Sequence, residues 1–139
     1  MAKKVLLTGG SGFLGSGLAK GLVKRGYTVR VFDNNFRGNL RRLKNIADEV
    51  EFIEGDIRDA VAVDAATKGM DWVFHLAFVN GTRHFYEQPG LVLDVGIRGA
   101  LTTMDAAMKY GVERYIVASS SEVYQEPDRW CEWWWWRWR

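Results

Sequence analysis

Residues 4–15, KVLLTGGSGFLG, constrain the fold more than any other stretch of this chain. An apolar run, Val5-Leu6-Leu7, leads directly into glycines at 9, 12 and 15, and the helical spacing Leu14, Leu18, Leu22 follows. A buried strand, a tight glycine turn and a helix, in that order, make a cradle for a dinucleotide. Gly9 permits the turn, Gly12 lets backbone approach a pyrophosphate, and Gly15 allows the helix to pack closely on the strand. The first helical turn offers unpaired N–H groups and partial positive charge to phosphates. Gly9, Gly12, Phe13, Leu14 and Gly15 are the candidate pyrophosphate contacts. The rival reading is a glycine-rich turn that binds nothing, and the register of strand, glycines and helix argues against it.

The rest of the chain alternates strand-like and helix-like segments. Residues 3–8 read as strand, 13–25 as helix and Tyr27 to Phe32 as a second strand. Leu40 to Ala47 suggests a short helix and residues 50–53 a third strand. Residues 58–68 read as a short helix, weakened by the alternation Val61-Ala62-Val63. Residues 71–75 form a fourth strand. After a loop holding Gly81 and Pro89 comes the longest helix, 91–110, and then a fifth strand from Arg114 to Ser119. Gly26, Gly55, Gly69 and Gly111 punctuate the transitions, three of them ending helices. Short connections between alternating elements predict an α/β, doubly wound parallel sheet of the Rossmann type, with about five strands in the order 3-2-1-4-5. The ligand site of such a sheet lies at the carboxyl ends, near the switch point between strands 1 and 4.

With 139 residues the chain is long enough for one domain with a real core. Acids and bases are interspersed through residues 1–128 around a net charge of +2, with no basic stripe to meet a phosphate backbone, so nucleic acid is not expected as a partner. Lys3-Lys4 before Val5-Leu6-Leu7 imitates the start of a signal peptide, but the apolar run breaks at Gly9-Gly10. No stretch approaches the roughly 18 apolar residues that span a bilayer, so a cytoplasmic location is the default. One cysteine, Cys131, permits no internal disulfide, and with two scattered histidines it forms no metal cluster. Six of the seven tryptophans fall in the last ten positions, within RWCEWWWWRWR from Arg129. Residues 129–139 therefore separate from the 1–128 domain. They read either as an Arg/Trp membrane-interface segment or, the preferred reading, as a non-native terminus without structure.

Asp33 ends the second strand, 18 residues past Gly15. A carboxylate there accepts both ribose hydroxyls of an adenosine and repels a 2′-phosphate, which favours NAD over NADP; Arg37 is the counter-signal. Asn34 and Asn35 continue that loop. Asp56, after the third strand and before Ile57, is placed to reach an adenine amino group and equally placed to cap the next helix.

These residues resemble the extended short-chain dehydrogenase/reductases, the NAD-dependent epimerase/dehydratase family acting on nucleotide sugars. The resemblance rests on Thr8-Gly9-Gly10-Ser11-Gly12-Phe13-Leu14-Gly15, Asp33-Asn34, Gly55-Asp56-Ile57-Arg58-Asp59 and His75-Leu76-Ala77. It also rests on Gly111-Val112-Glu113-Arg114 and on Ser119-Ser120-Ser121-Glu122-Val123-Tyr124, so that it spans residues 3–126 in order. It implies that Leu76, Ala77 and Phe78 line the ribose and nicotinamide side of the cofactor. It also implies that Ser120 is the catalytic serine, hydrogen-bonding a sugar hydroxyl, and that two copies pair through long helices.

Two departures stand out. Gly96 replaces an asparagine usual in the family near the cofactor. The family's Tyr-x-x-x-Lys pair is absent: Tyr110 is followed by Arg114 and Tyr124 by Asp128, with no lysine at that spacing. The resemblance thus implies the NAD-binding half of a nucleotide-sugar epimerase or dehydratase, truncated after the fifth strand and lacking its catalytic base. The alternatives are a non-catalytic dinucleotide-binding sensor or partner module, and a membrane-interface protein acting through its Trp/Arg tail.

Overall fold

The computed structural model describes residues 2–120 and 123. The tail at 129–139, with Cys131, and Tyr124 lie outside the described residues.

Strand β1 (Lys4–Thr8) is the centre of the molecule. Val5, Leu6 and Leu7 are all essentially inaccessible to solvent. Alternation along a strand sends Leu6 to one face and Val5 and Leu7 to the other, and burial of both faces is what a continuous apolar run encodes. β2 (Thr28–Asp33) and β4 (Trp72–His75) flank β1, β3 (Val50–Glu54) pairs with β2, and β5 (Arg114–Val117) pairs with β4. All pairings are parallel, and the order is β3-β2-β1-β4-β5 as the alternation predicts. The register sets Thr8 opposite Phe32 and His75, so the carboxyl ends of β1, β2 and β4 finish level with one another.

Two core clusters cover the two faces. On one, Leu6, Phe32 and Val73 pack with Val63 and Ala66 of α2 (Ala60–Thr67) and with Val95, Ala106 and Ala107. On the other, Val5, Leu7, Val29 and Val31 pack with Ala19 and Leu22 of α1 (Phe13–Lys24) and with Leu43 and Ile46. Removing one such side chain, as in Leu6→Ala, costs about 2–5 kcal/mol through lost burial and the cavity left behind. Gly26, Gly69 and Gly111 all have positive φ where helices hand over to strands.

Four elements differ from the expectation. Leu40–Glu49 is 3-10 rather than α, started by Asn39 accepting from the Arg41 N–H and broken at Ile46, whose φ of −131° is not helical. The 81–89 loop contains a short helix, α3 (Thr82–Glu87). The long helix begins at Pro89, which suits a first helical position. It runs as α4 (Pro89–Leu93), a π turn (Asp94–Arg98) and α5 (Gly99–Lys109) without leaving right-handed helical backbone at the joints. β5 stops at Val117, two residues short of the expected Ser119.

Candidate functional site at the carboxyl edge

The glycine turn closes on itself. Gly9 has a φ of +72° and donates its N–H to the Phe32 carbonyl at 2.9 Å. A side chain on Gly9 would strike the Ala77 backbone at 2.7 Å, and one on Gly15 would come 2.2 Å from the Gly9 carbonyl oxygen. Gly15 thus packs α1 onto the turn itself rather than onto the strand body. Gly12 is the N-cap of α1 and brings no capping side chain to it. The start of that helix is left to backbone groups and whatever they meet. Phe13 and Leu14, its first two residues, are largely exposed, 83% and 72%. Their side chains stand out from the turn rather than joining the core.

Asp33 is buried at the end of β2, and both its oxygens are engaged. Oδ2 accepts the Ser11 N–H at 3.0 Å and Oδ1 the Asn35 N–H at 2.8 Å. The carboxylate therefore ties the glycine turn to the β2 loop, a role the sequence reading did not assign to it. A carboxylate has about four acceptor positions, so capacity for hydroxyl donors remains. The loop folds back over the turn: Ser11 Oγ donates to Asn35 Oδ1 at 3.0 Å, and the Asn39 N–H donates to the Ser11 carbonyl at 3.0 Å. Asn35 adopts φ +55°, a conformation asparagine tolerates. Gly38 leaves no room for a side chain, since a Cβ there would meet Ser11 Oγ and Asp33 Oδ1. The Arg37 guanidinium lies beside Gly81.

Beside this loop, Asn34 Nδ2 donates to Asp56 Oδ2 at 3.2 Å. Arg58 grips the same carboxylate with Nε and Nη2, at 2.9 and 2.7 Å, and extends Nη1 to Asp94 at 2.9 Å. These hydrogen bonds hold the Asp56 carboxyl down to about 2 against the opposing effect of burial, so it is an ionised acceptor at neutral pH. The capping role open to Asp56 in the sequence belongs to Asp59, which accepts from the Val61 and Ala62 N–H groups. Ile57 has its side chain in the core, lying where a Cβ on Gly99 would collide with it. Any contact it makes with a ligand is left to its main chain.

At the end of β4, His75 is buried against Tyr115, with Nδ1 2.8 Å from Thr8 Oγ1. Burial drives its pKa down to about 4, so the ring is neutral at pH 7. Leu76 and Ala77 pass along the glycine turn, Leu76 donating its N–H to the Thr8 carbonyl at 3.1 Å. Phe78 follows, half-exposed. Ser120 lies just beyond β5, its carbonyl accepting the Val123 N–H at 3.3 Å.

Every sequence-predicted site residue except the Ile57 side chain thus falls on the carboxyl edge, from β3's loop at Asp56 to β5's at Ser120. Tyr110 falls on the opposite edge, where α5 ends and β5 begins, with its hydroxyl donating to Asp64 at 2.7 Å. The reading of the sequence missed Ser11, Gly38 and Arg58. The available signal for Arg58 was its setting between two acids, Asp56 and Asp59. Among the described residues there is no His/Cys/Asp/Glu group suited to a metal ion, and no helix is long and apolar enough to cross a membrane.

A parallel sheet in this order, with a glycine turn after β1 and an acid ending β2, defines the class of doubly wound dinucleotide-binding domains. The family model for the NAD dependent epimerase/dehydratase family matches residues 5–131, and the chain belongs to that family. It is 36% identical over 124 residues to a UDP-N-acetyl-alpha-D-glucosaminuronate decarboxylase of Bacillus cytotoxicus, an alignment covering 89% of this chain and 38% of that one. It is 34% identical over 137 residues to UDP-glucose 4-epimerase 2 of Arabidopsis thaliana, covering 91% and 39%. Among solved structures, the Thermus thermophilus UDP-glucose 4-epimerase complex with NAD superposes with a TM-score of 0.78 at 34% identity, covering 84% of this chain and 37% of that one. The Brucella ovis enzyme in complex with NAD gives 0.84 at 29% identity, covering 93% and 39%. The chain therefore spans less than two-fifths of the length of these relatives.

Proposed function

We propose that this chain is the NAD-binding portion of a nucleotide-sugar epimerase or dehydratase. The observation that supports it most directly is the glycine turn: Gly9 and Gly15 have no room for a side chain against the Ala77 backbone and the Gly9 carbonyl, and Gly12 opens α1 without a capping side chain. In this reading the pyrophosphate lies over Gly12, Phe13 and Leu14. Asp33, Asn34 and Asn35 take the adenosine ribose, Asp56 with the Ile57 main chain takes the adenine, and Leu76, Ala77 and Phe78 face the other nucleoside. The bound cofactor supplies a hydride acceptor for a sugar carbon. The Thermus thermophilus and Brucella ovis relatives are complexes with NAD, and the Thermotoga maritima UDP-glucose 4-epimerase is one with UDP-glucose.

Ser120 is assigned to hydrogen-bond the sugar hydroxyl. An unassisted serine hydroxyl is too weak a base at pH 7 to take that proton, and no tyrosine among these 139 residues has a lysine four positions on. The chain by itself therefore binds cofactor and does not turn over, which is also the behaviour of a dinucleotide-binding sensor or partner module. Loss of a general base typically costs about 10²–10⁴-fold, and loss of substrate positioning multiplies that. The location that goes with this reading is the cytoplasm, and self-association through the long helix is expected.

The test is equilibrium binding of NAD and NADP, paired with an assay on UDP-, GDP- and dTDP-sugars. NAD should bind, NADP more weakly, and Gly12→Val should bind neither. Equal or tighter NADP binding would show that Arg37 outweighs Asp33. Turnover that vanishes in Ser120→Ala would overturn the assignment of a base-less chain.

A further inference from the structure

Gly96 lies in the π turn, and its φ is not positive, so no backbone requirement explains a glycine there. Space does. A Cβ on Gly96 would stand 2.7 Å from Phe78 Cε2, with Cδ2 at 3.5 Å and Cζ at 3.7 Å. The edge of the Phe78 ring is seated in a notch that only glycine provides. Phe78 is otherwise 49% exposed. Its chain position fixes where it stands: one residue past Ala77, whose backbone abuts Gly9 of the dinucleotide turn.

The topology says which half of a dinucleotide meets it. A pyrophosphate over the turn after β1, with the adenosine towards Asp33 on β2, sends the second nucleoside to the β4 side. That is the side of Leu76, Ala77 and Phe78. A flat apolar face there suits an aromatic ring, and a positively charged one gains further from the ring's electron-rich face. We infer that Gly96 is the seat that positions Phe78 as an aromatic wall for the nicotinamide half of the cofactor. The inference rests on the proposed NAD site. A side chain at 96 meets the far end of a rotatable ring, so the ring moves and the helix does not. Displacing the ring takes it out of register with the second nucleoside.

The experiment is a double-mutant cycle read by calorimetry with two probes, NAD and ADP, on the full chain as wild type, Gly96→Ala, Phe78→Ala and the double variant. Gly96→Ala should weaken NAD by about tenfold or more, as displacement of a well-packed group does. ADP lacks the second nucleoside, and its affinity should change by less than about twofold. In the Phe78→Ala background the Gly96→Ala change should be nearly silent. Phe78→Leu serves as the second background should the alanine variant fail to fold, which its melting curve reveals. The inference is overturned if Gly96→Ala leaves NAD binding unchanged, if it weakens ADP as much as NAD, or if its cost is the same with and without the ring. A wild-type chain that binds ADP and NAD equally well also overturns it while leaving the dinucleotide turn intact. A wild-type chain that binds neither removes the proposed function itself.

Discussion

Gly15 illustrates how closely single residues are constrained. Its missing Cβ would lie 2.2 Å from the Gly9 carbonyl, and that atom is backbone fixed by the sheet. Gly15→Ala should therefore destabilise the domain by roughly 1–3 kcal/mol or more, visible as a lower melting temperature together with loss of NAD binding. Gly17, with open space around it, is the control position and should accept alanine freely. His75 gives a pH-dependent prediction. Its pKa is near 4 in the folded chain and near 6.5 unfolded, so between these values the unfolded state holds more protons and stability rises with pH. The stability in question is fully present above pH 6.5 and falls away as the pH drops towards 4, by about 3 kcal/mol at most. Asp56, held at about 2, loses its contribution only below its ordinary value of 3.8. Denaturant titrations from pH 7 to 4.5 should thus show a slope that His75→Gln flattens. An unchanged slope would mean that the ring is not buried neutral.

At the scale of elements, much of the fold was legible because each strand carries its own evidence. Val5-Leu6-Leu7 cannot be exposed, and the glycines at 26, 69 and 111 mark the helix ends by conformational need. What was not legible has physical reasons. The 3-10 character of Leu40–Glu49 depends on the Asn39 cap and the break at Ile46, not on an apolar period. The π turn at Asp94–Arg98 sits between α4 and α5 with right-handed helical backbone at both joints, so the sequence reads as one helix. Besides their local partners Asn35 and Arg58, Asp33 and Asp56 each take one from a segment 22 residues away, Ser11 and Asn34, and no local pattern announces those two. The same long helix carries an apolar stripe: Leu93, Ile97, Leu101, Met104 and Met108 are all exposed at spacings of four, four, three and four. A contiguous run of exposed apolar side chains of this kind is a candidate association surface. Light scattering at tens of micromolar should detect self-association, and Leu101→Lys with Met104→Lys should return the chain towards monomer. A wild-type chain that is already monomeric would contradict this.

For the molecule as a whole, both core clusters among the described residues are assembled from residues between Val5 and Tyr115. Residues 129–139 carry no apolar period that a parallel sheet could bury, so their deletion should leave the melting temperature unchanged and raise solubility. A clear fall would show that the indoles pack on the domain. The carboxyl edge is where the whole architecture converges, since parallel strands ending level bring residues from five separate segments to one rim. The most direct test is hydrogen–deuterium exchange of the full chain with and without saturating NAD, because it reports binding and location together. Added NAD should slow exchange in residues 9–16, 33–39 and 75–79 and leave the opposite edge, around Tyr110 to Glu113, unaffected. Exchange that is unchanged throughout, or slowed only away from those three segments, would contradict the assignment of this edge as a dinucleotide site.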